Sequence, residues 1–314
     1  MKKRVAQFLH SAFCILNSLM GERVSQLPTP QLPNQLQQKY DRLREILTDM
    51  GDVIIGMSGG VDSVLLSKVA SAVLGDKALA VTADSPSLPR RELREAESLA
   101  QMAGIRHQII KTNEVFDPRY AANPNNRCYF CKTELFTQLD DIATQLGFHW
   151  IAYGENQDDT GDHRPGAKAA GEHNVRAPLK EAQMTKADIR TLAQYFGLPV
   201  WDKPAFACLG SRFPYGTQIT PQKLAQVEAA EDVLWDAGFR QFRVRHHGEV
   251  ARIEVDRSDM LRLLDLADDI TAKFKQQAGF AYVAMDLLGY RRGSMNEPKP
   301  AVIIPIMKDR KSVV

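Results

Sequence analysis

Apolar positions along the chain follow two rhythms that alternate. In the segment DRLREILTDM, Leu43, Ile46, Leu47 and Met50 fall at the spacing of one helical face, and the short apolar run DVIIGM after it reads as a buried strand. The same alternation continues with a helical SVLLSKVASAVL, a strand ALAVTA, a helix RRELREAESLAQMA stopped by Gly104, and a strand RHQIIKT. A helix TELFTQLDDIATQL, stopped by Gly147, leads to a further strand HWIAYG. Alternation of this kind predicts a parallel, doubly wound sheet with helices on both faces, and a ligand site at the carboxyl ends of its strands. After a polar, Gly-rich stretch from Glu155 to Gly171, Thr185 is expected to cap a helix KADIRTLAQYF that ends at Gly197.

Beyond about Lys203 the pattern changes. Thr220-Pro221 starts a helix running to Gly238, FRQFRVRHHG and VARIEVD alternate as half-buried strands, and a helix from Ser258 precedes the strand FAYVAMDL. The expected organisation is an extension and Pro/Gln-rich linker over residues 1–39, an α/β domain over 40–205, and a smaller α+β domain over 206–314. There is no internal repeat.

Composition narrows the function classes. A charged fraction of 25% and a hydrophobic fraction of 44% describe an ordinary globular chain, so disordered and fibrous classes drop out. Forty Lys and Arg against 38 Asp and Glu leave a formal charge of +2, too balanced for a protein that coats nucleic acid. The basic, apolar opening faintly resembles a signal peptide, but His10, Ser11, Asn17 and Ser18 interrupt it and it is too short to span a bilayer. Cys14 lies in that opening and is given no role. Four scattered cysteines do not form a secreted disulfide framework, so a reducing cytosol is expected.

Ser58-Gly59-Gly60-Val61-Asp62-Ser63 stands directly between a strand and a helix. Glycines let the backbone approach an anion, Ser58 and Ser63 add hydroxyls, and the helix that follows turns its positive end toward phosphate. The segment has neither the Lys-Ser/Thr ending of a Walker loop nor the three-glycine spacing of a dinucleotide fold. It resembles the SGGxDS loop of the PP-loop ATP pyrophosphatases, which split ATP into AMP and pyrophosphate. That resemblance implies that Asp62 holds magnesium or orients the phosphates, and that Ala83, Asp84 and Ser85, after the second strand, contact the nucleotide. An ordinary strand-to-helix loop with an Asp cap competes for the last three. Asn156 and Asp158, after a later strand, could reach nucleotide or metal, or could belong to an acidic surface loop.

Cys128 and Cys131 are three residues apart, and Cys208 lies in a turn-rich loop beside Arg212. Three thiolates suit an iron–sulfur cluster with one open iron, which can bind exogenous sulfide. A zinc completed by His163 or His173, a redox dithiol, and three unrelated buried thiols are the other readings. Arg243 and Arg245 share a face of one strand, and Arg252 and Glu254 a face of the next. With Arg212, Arg291 and Arg292 they favour an anionic substrate, although a solvated charged face explains any one of them, Arg292 above all.

Together SGGVDS, CYFCK, RPGAKA with VRAPL, CLGSRFPYGT, FRVRHH with VARIEV, and GYRRGSMN are similar, in order and spacing, to the LarE family of sulfurtransferases. The resemblance covers about residues 40 to 297. It implies adenylation of a carboxylate of pyridinium-3,5-biscarboxylic acid mononucleotide with ATP and magnesium, then replacement of AMP by sulfur, for a nickel-pincer nucleotide cofactor. Family members take sulfur either from a sacrificial cysteine or from a sulfide on a three-cysteine [4Fe-4S] cluster. The sacrificial position falls on Ala207 here, so the resemblance implies the cluster type, with Cys128, Cys131 and Cys208 as ligands and an exogenous sulfide donor. It also implies that Arg212, Arg243 and Arg245 hold the substrate phosphate, that Glu231 and Glu254 are acidic positions whose third member is Arg262 here, and that the protein forms a homo-oligomer. No nucleic-acid or membrane partner is expected. A PP-loop tRNA thiolase, which usually carries Lys at the place of Val61, an amide-forming ligase, and a nucleotide-binding sensor are the competing functions.

Overall fold

A computed structural model of the chain describes residues 32–161, 165–204, 207–291 and 293. Cys14, His163 and Arg292 lie outside the described residues. Helix α1 (Asn34–Met50) opens the fold and buries Leu36, Leu43, Ile46, Leu47 and Met50. It starts inside the stretch read from sequence as linker. Pro33 precedes the first turn, glutamine tolerates a helix well, and Leu36 anchors that turn in the core.

Four parallel strands follow: β1 (Val53–Gly56), β2 (Ala78–Asp84), β3 (His107–Lys111) and β4 (Ile151–Tyr153), in the order β3-β2-β1-β4. Because side chains alternate along a strand, the sheet feeds two cores. Val53, Ile55, Ala78 and Ala80 pack with α1, with α2 (Val61–Leu74), with α3 (Arg90–Met102) and with α6 (Lys186–Tyr195). On the other face Ile54, Leu79, Val81 and Ile151 pack under Phe136, Leu139 and Ala143 of α4 (Arg127–Leu146) and Ala169 and Ala170 of α5 (Pro165–Glu172). This is the doubly wound parallel sheet that the alternating pattern predicts.

Thr185 caps α6 in a full capping box: its hydroxyl accepts from the Asp188 N–H, and the Asp188 carboxylate accepts from the Thr185 N–H. Helix α4 differs from the expectation, which began it at Thr133. It begins at Arg127, so Cys128 and Cys131 lie in its opening turns on one face, one turn apart.

The C-terminal sheet has three strands, β5 (Phe242–His247), β6 (Val250–Val255) and β7 (Tyr282–Met285). β5 and β6 are antiparallel, whereas β6 and β7 are parallel. Helix α7 (Pro221–Asp236) covers the sheet through Leu224, Val227, Ala230 and Leu234, with Phe239, Val244, Ile253 and Phe274 in the same core. Thr220 accepts from the Lys223 N–H and Pro221 fills the first helical position, as expected. Val115 and Tyr120, from the segment after β3, are also part of this core.

Candidate nucleotide and sulfur site

The carboxyl ends of β1, β2 and β4 line up through Gly56, which pairs with Val81 and Tyr153. At that edge the chain turns through Ser58–Ser63 into α2. Ser63 Oγ accepts from the Ser58 N–H at 3.1 Å and donates to Gly60 O at 3.1 Å, so the loop is closed on itself by its own hydroxyl. Gly59 takes φ 76°, and a methyl on it would lie 3.3 Å from Ala96 Cβ. Both facts select glycine. Gly154, just after β4, is a further constraint: a Cβ there would sit 2.8 Å from the Ser63 N atom. The end of β4 can approach the first turn of α2 only because that side chain is missing.

A cavity of ≈ 220 Å³ opens beside the loop. Its walls include Ser58, Ala83 and Ser85, named from sequence, and also Cys131 and Cys208, which are 77 residues apart in the chain (208 minus 131). Lys132 and Glu114 line it as well. Neither Cys128 nor Asp84 is among the lining residues; Asp84 is ion-paired with Arg90, whose guanidinium also donates to Ser85 O and Leu88 O. Glu114 was not identified from sequence. It is 2% exposed, Oε1 accepts from the Ser85 and Ser87 hydroxyls, and Oε2 has no partner.

The cysteines interact electrostatically. Burial, then the nearby charges of Glu114 and Cys208, push the Cys131 thiol far up. Cys128 is the exposed member; desolvation of its sulfur and the charge of Cys208 raise it, while Arg127 and Lys132 pull it down. Arg127 is the cation of the group. Burial opposes its charge, but Cys208, Tyr120 and Cys128 more than restore it. The two segments are stapled together by Asn123, which is fully buried in a left-handed conformation at φ 53°. Its amide donates to Pro214 O at 2.8 Å and its carbonyl accepts from Arg127, so the loop after Cys208 and the start of α4 hang on one side chain.

Among the described residues no three His, Cys, Asp or Glu side chains converge as ligands of one metal ion. His173 bonds Asp140 at 2.7 Å and packs on Phe136, so it is engaged elsewhere. Cys131 and Cys208 border the cavity, and Cys128, outside its lining, lies one helical turn from Cys131.

At the first turn of α2, Asp62 Oδ1 accepts from the Asn156 amide at 3.0 Å and Oδ2 is ion-paired with Lys186. Asp158 accepts from the Lys186 N–H at 2.8 Å. Asp62, Asn156 and Asp158 thus form one network. Lys186, which sequence reasoning missed, organises it from 124 residues away.

In the C-terminal sheet Arg243 stands opposite Glu254, and Arg245 opposite Arg252, so all four share one face. Arg245 donates to Glu254 Oε2 at 2.7 Å and to Ser211 O at 2.9 Å, and Arg252 donates to Glu254 Oε1 at 3.0 Å. Arg243 lines a second cavity, of ≈ 170 Å³, with Lys203, Glu92 and Glu231. Arg291 donates to Asp286 at 3.4 Å. Arg212 is 0% exposed and grips Glu231 with two parallel bonds of 2.7 and 3.0 Å, while its remaining amine donates to Ala207 O and the Ser211 hydroxyl. Burial alone would raise the Glu231 carboxyl; Arg212 beside it and the Val244 N–H hold it below the usual range. Arg212 therefore pins the cysteine loop from behind.

Residues 35–127 match the NAD synthase family. The chain is 45% identical over 262 residues to an uncharacterised protein of Synechocystis, covering 83% of this chain and 98% of that one. It is 39% identical over 252 residues to the pyridinium-3,5-bisthiocarboxylic acid mononucleotide synthase of Lactiplantibacillus plantarum, covering 80% and 91%. The chain belongs to the LarE family. It is an ATP-dependent sulfurtransferase built on a PP-loop domain. A Methanocaldococcus jannaschii protein, 28% identical over 83% of this chain, is a more distant relative. No helix among the described residues is long and apolar enough to cross a membrane.

Proposed function

We propose that this enzyme adenylates the carboxylates of pyridinium-3,5-biscarboxylic acid mononucleotide and replaces AMP with sulfur carried at Cys128, Cys131 and Cys208. The observation that carries the reading is the single cavity that Cys131 and Cys208 share with Ser58, Ala83 and Ser85. Sulfur held there would be next to the nucleotide, where water competes poorly.

In this reading the backbone and hydroxyls of Ser58–Ser63 receive pyrophosphate at the positive end of α2. Asp62, with Asn156 and Asp158, orients the phosphates or their magnesium, and Lys186 balances the Asp62 charge until ATP arrives. Ala83 and Ser85 border the nucleoside. A carboxylate oxygen is a poor leaving group; transfer of AMP to it makes a good one, and nearby cations such as Lys132 stabilise the oxyanion that forms when sulfur attacks. Arg243 and Arg245 take the substrate phosphate. A [4Fe-4S] cluster on the three thiolates would supply one open iron for exogenous sulfide. Cytoplasmic location and assembly of several copies complete the proposal.

The test is anaerobic purification, assay of iron and acid-labile sulfide, and measurement of AMP and thiocarboxylate formed from the biscarboxylate with ATP, magnesium and sodium sulfide. Cys128→Ala, Cys131→Ala and Cys208→Ala should each lose iron and turnover. Iron absent after reconstitution, with all three variants fully active, would sink the cluster. AMP release that depends on tRNA would replace the small-molecule acceptor with a thiolase.

A further inference from the structure

Helix α3 cannot cap its own start. Pro89 stands at the cap position and offers no side-chain acceptor, so the first amide of the helix, the Arg90 N–H, needs a partner from elsewhere. That partner is the carboxylate of Glu228 on α7, 138 residues away. A negative group there is held by the positive end of α3 as well as by the hydrogen bond. Beside it Arg91 pairs with Asp232 at 3.1 Å and stacks over Trp235 at 4.2 Å. Positions 228 and 232 are one turn apart, so a single face of α7 receives the start of α3. The Arg91 pair is half exposed and holds little, which leaves Glu228 as the firmer contact.

Glu228 fixes more than a helix end. The guanidinium of Arg90 turns back along the chain, pairs with Asp84, and donates to Ser85 O at 2.6 Å and Leu88 O at 2.8 Å. Ser85, Ser87 and Leu88 are walls of the ≈ 220 Å³ cavity, whereas Glu228 is not among its lining residues. The backbone of Arg90 is thus held by α7, and its side chain holds the loop after β2. The same loop meets the cysteine segment, because Ser87 O accepts from the Leu209 N–H at 2.9 Å, one residue after Cys208. Three residues along α7 from Glu228, Glu231 grips Arg212, which donates to Ala207 O and Cys208 O. One turn of α7 therefore holds the loop after β2 through Arg90 and the cysteine loop through Arg212.

We propose that Glu228 is a positioning residue for ATP: through Arg90 it sets the shape of residues 84–88 against the nucleotide, which it does not itself touch. This role rests on the reading that the nucleoside lies beside Ala83 and Ser85, whereas the hold of α7 on the loop is independent of it. The nucleotide site of the parallel sheet is then complete only when the C-terminal helix is docked on α3.

The test uses the full-length enzyme, with magnesium-ATP binding measured by titration calorimetry without the biscarboxylate. The AMP and thiocarboxylate assay then gives half-saturation by ATP and by sulfide. Glu228→Ala should weaken ATP by about tenfold in both measurements and leave half-saturation by sulfide unchanged. Glu228→Gln keeps an acceptor for the amide and should recover most of that loss. Arg90→Ala should weaken ATP too, and adding Glu228→Ala to it should cost little more, since the route is already cut. Thr220→Ala removes the cap at the far end of the same helix and should leave ATP affinity unchanged. Unchanged ATP affinity in Glu228→Ala overturns the role. An equal loss in Thr220→Ala assigns it to general loosening of α7, and additive losses in the double variant exclude the route through Arg90; either also overturns it. ATP binding weakened as expected, with no thiocarboxylate formed by the wild type, sinks the transfer reading and leaves Glu228 standing.

Discussion

The Ser58–Ser63 loop presents the backbone and hydroxyls of six consecutive residues, whereas β5 and β6 present guanidinium groups held by carboxylates and carbonyls of other segments. The first arrangement needs glycines and a helix start, and the Ser63 hydroxyl lies 3.3 Å from the Ser58 hydroxyl and 3.1 Å from the Ser58 N and Gly60 O atoms. The second must neutralise what it buries. Two deep arginines bring a carboxylate with them, Glu231 for Arg212 and Glu254 for Arg245, because a buried unpaired charge is far costlier than a buried pair. Changes in the loop should therefore fall on the nucleotide, and changes at the Arg212–Glu231 pair on the fold.

The largest effect expected of that contrast is at Glu231. Glu231→Gln strands the fully buried Arg212 and should cost about 3–5 kcal/mol in urea unfolding. A variant as stable as wild type would erase the distinction. The same carboxyl supplies a pH test. Its folded affinity for protons is lowered, so its stabilisation is complete above its ordinary value of 4.5 and fades as pH falls through the lower folded value. The stability gap between wild type and Glu231→Gln should thus narrow below about pH 4.5.

Lys186→Ala sits on the other side of the comparison. It removes a charge-assisted partner of Asp62 and should weaken ATP by roughly ten- to a hundredfold in half-saturation, with little change in unfolding. Gly154→Ala crosses the line between the two classes. Forcing a methyl to 2.8 Å from Ser63 N should cost about 1–3 kcal/mol by overpacking and distort the loop, so stability and ATP affinity fall together. The smallest effect is expected at a purely local feature: Thr185→Ala removes the α6 cap, for about 1 kcal/mol in unfolding, without touching the sulfide response.

The regular elements were legible because their signals are local. Val53 and Ile55 against Ile54 already encode two covered faces, and Thr185 with Asp188 encodes a helix start. Two boundaries were less visible. The Gln-rich turn of α1 carries only Leu36 as an anchor, and the opening of α4 mixes Arg127 and two cysteines with aromatics, so neither shows a clean apolar period. Of the residues at the candidate site, those named from sequence stand in consecutive motifs, whereas Lys186, Glu114, Asn123 and Arg127 join it through contacts that the chain order hides. Arg212 illustrates the converse. Its loop marks it as a phosphate fork, yet the fold occupies that fork with Glu231.

Val115 and Tyr120 sit within the core built by α7 and the C-terminal sheet, although they follow β3 of the parallel sheet. Recombination between relatives would have to respect that interlock. A hybrid joined near residue 205 would leave one parent's Tyr120 in the other parent's core, while the partner segment, expressed alone, would lack two of its packing residues. The halves of this enzyme are thus expected to diverge as a matched pair rather than as interchangeable modules.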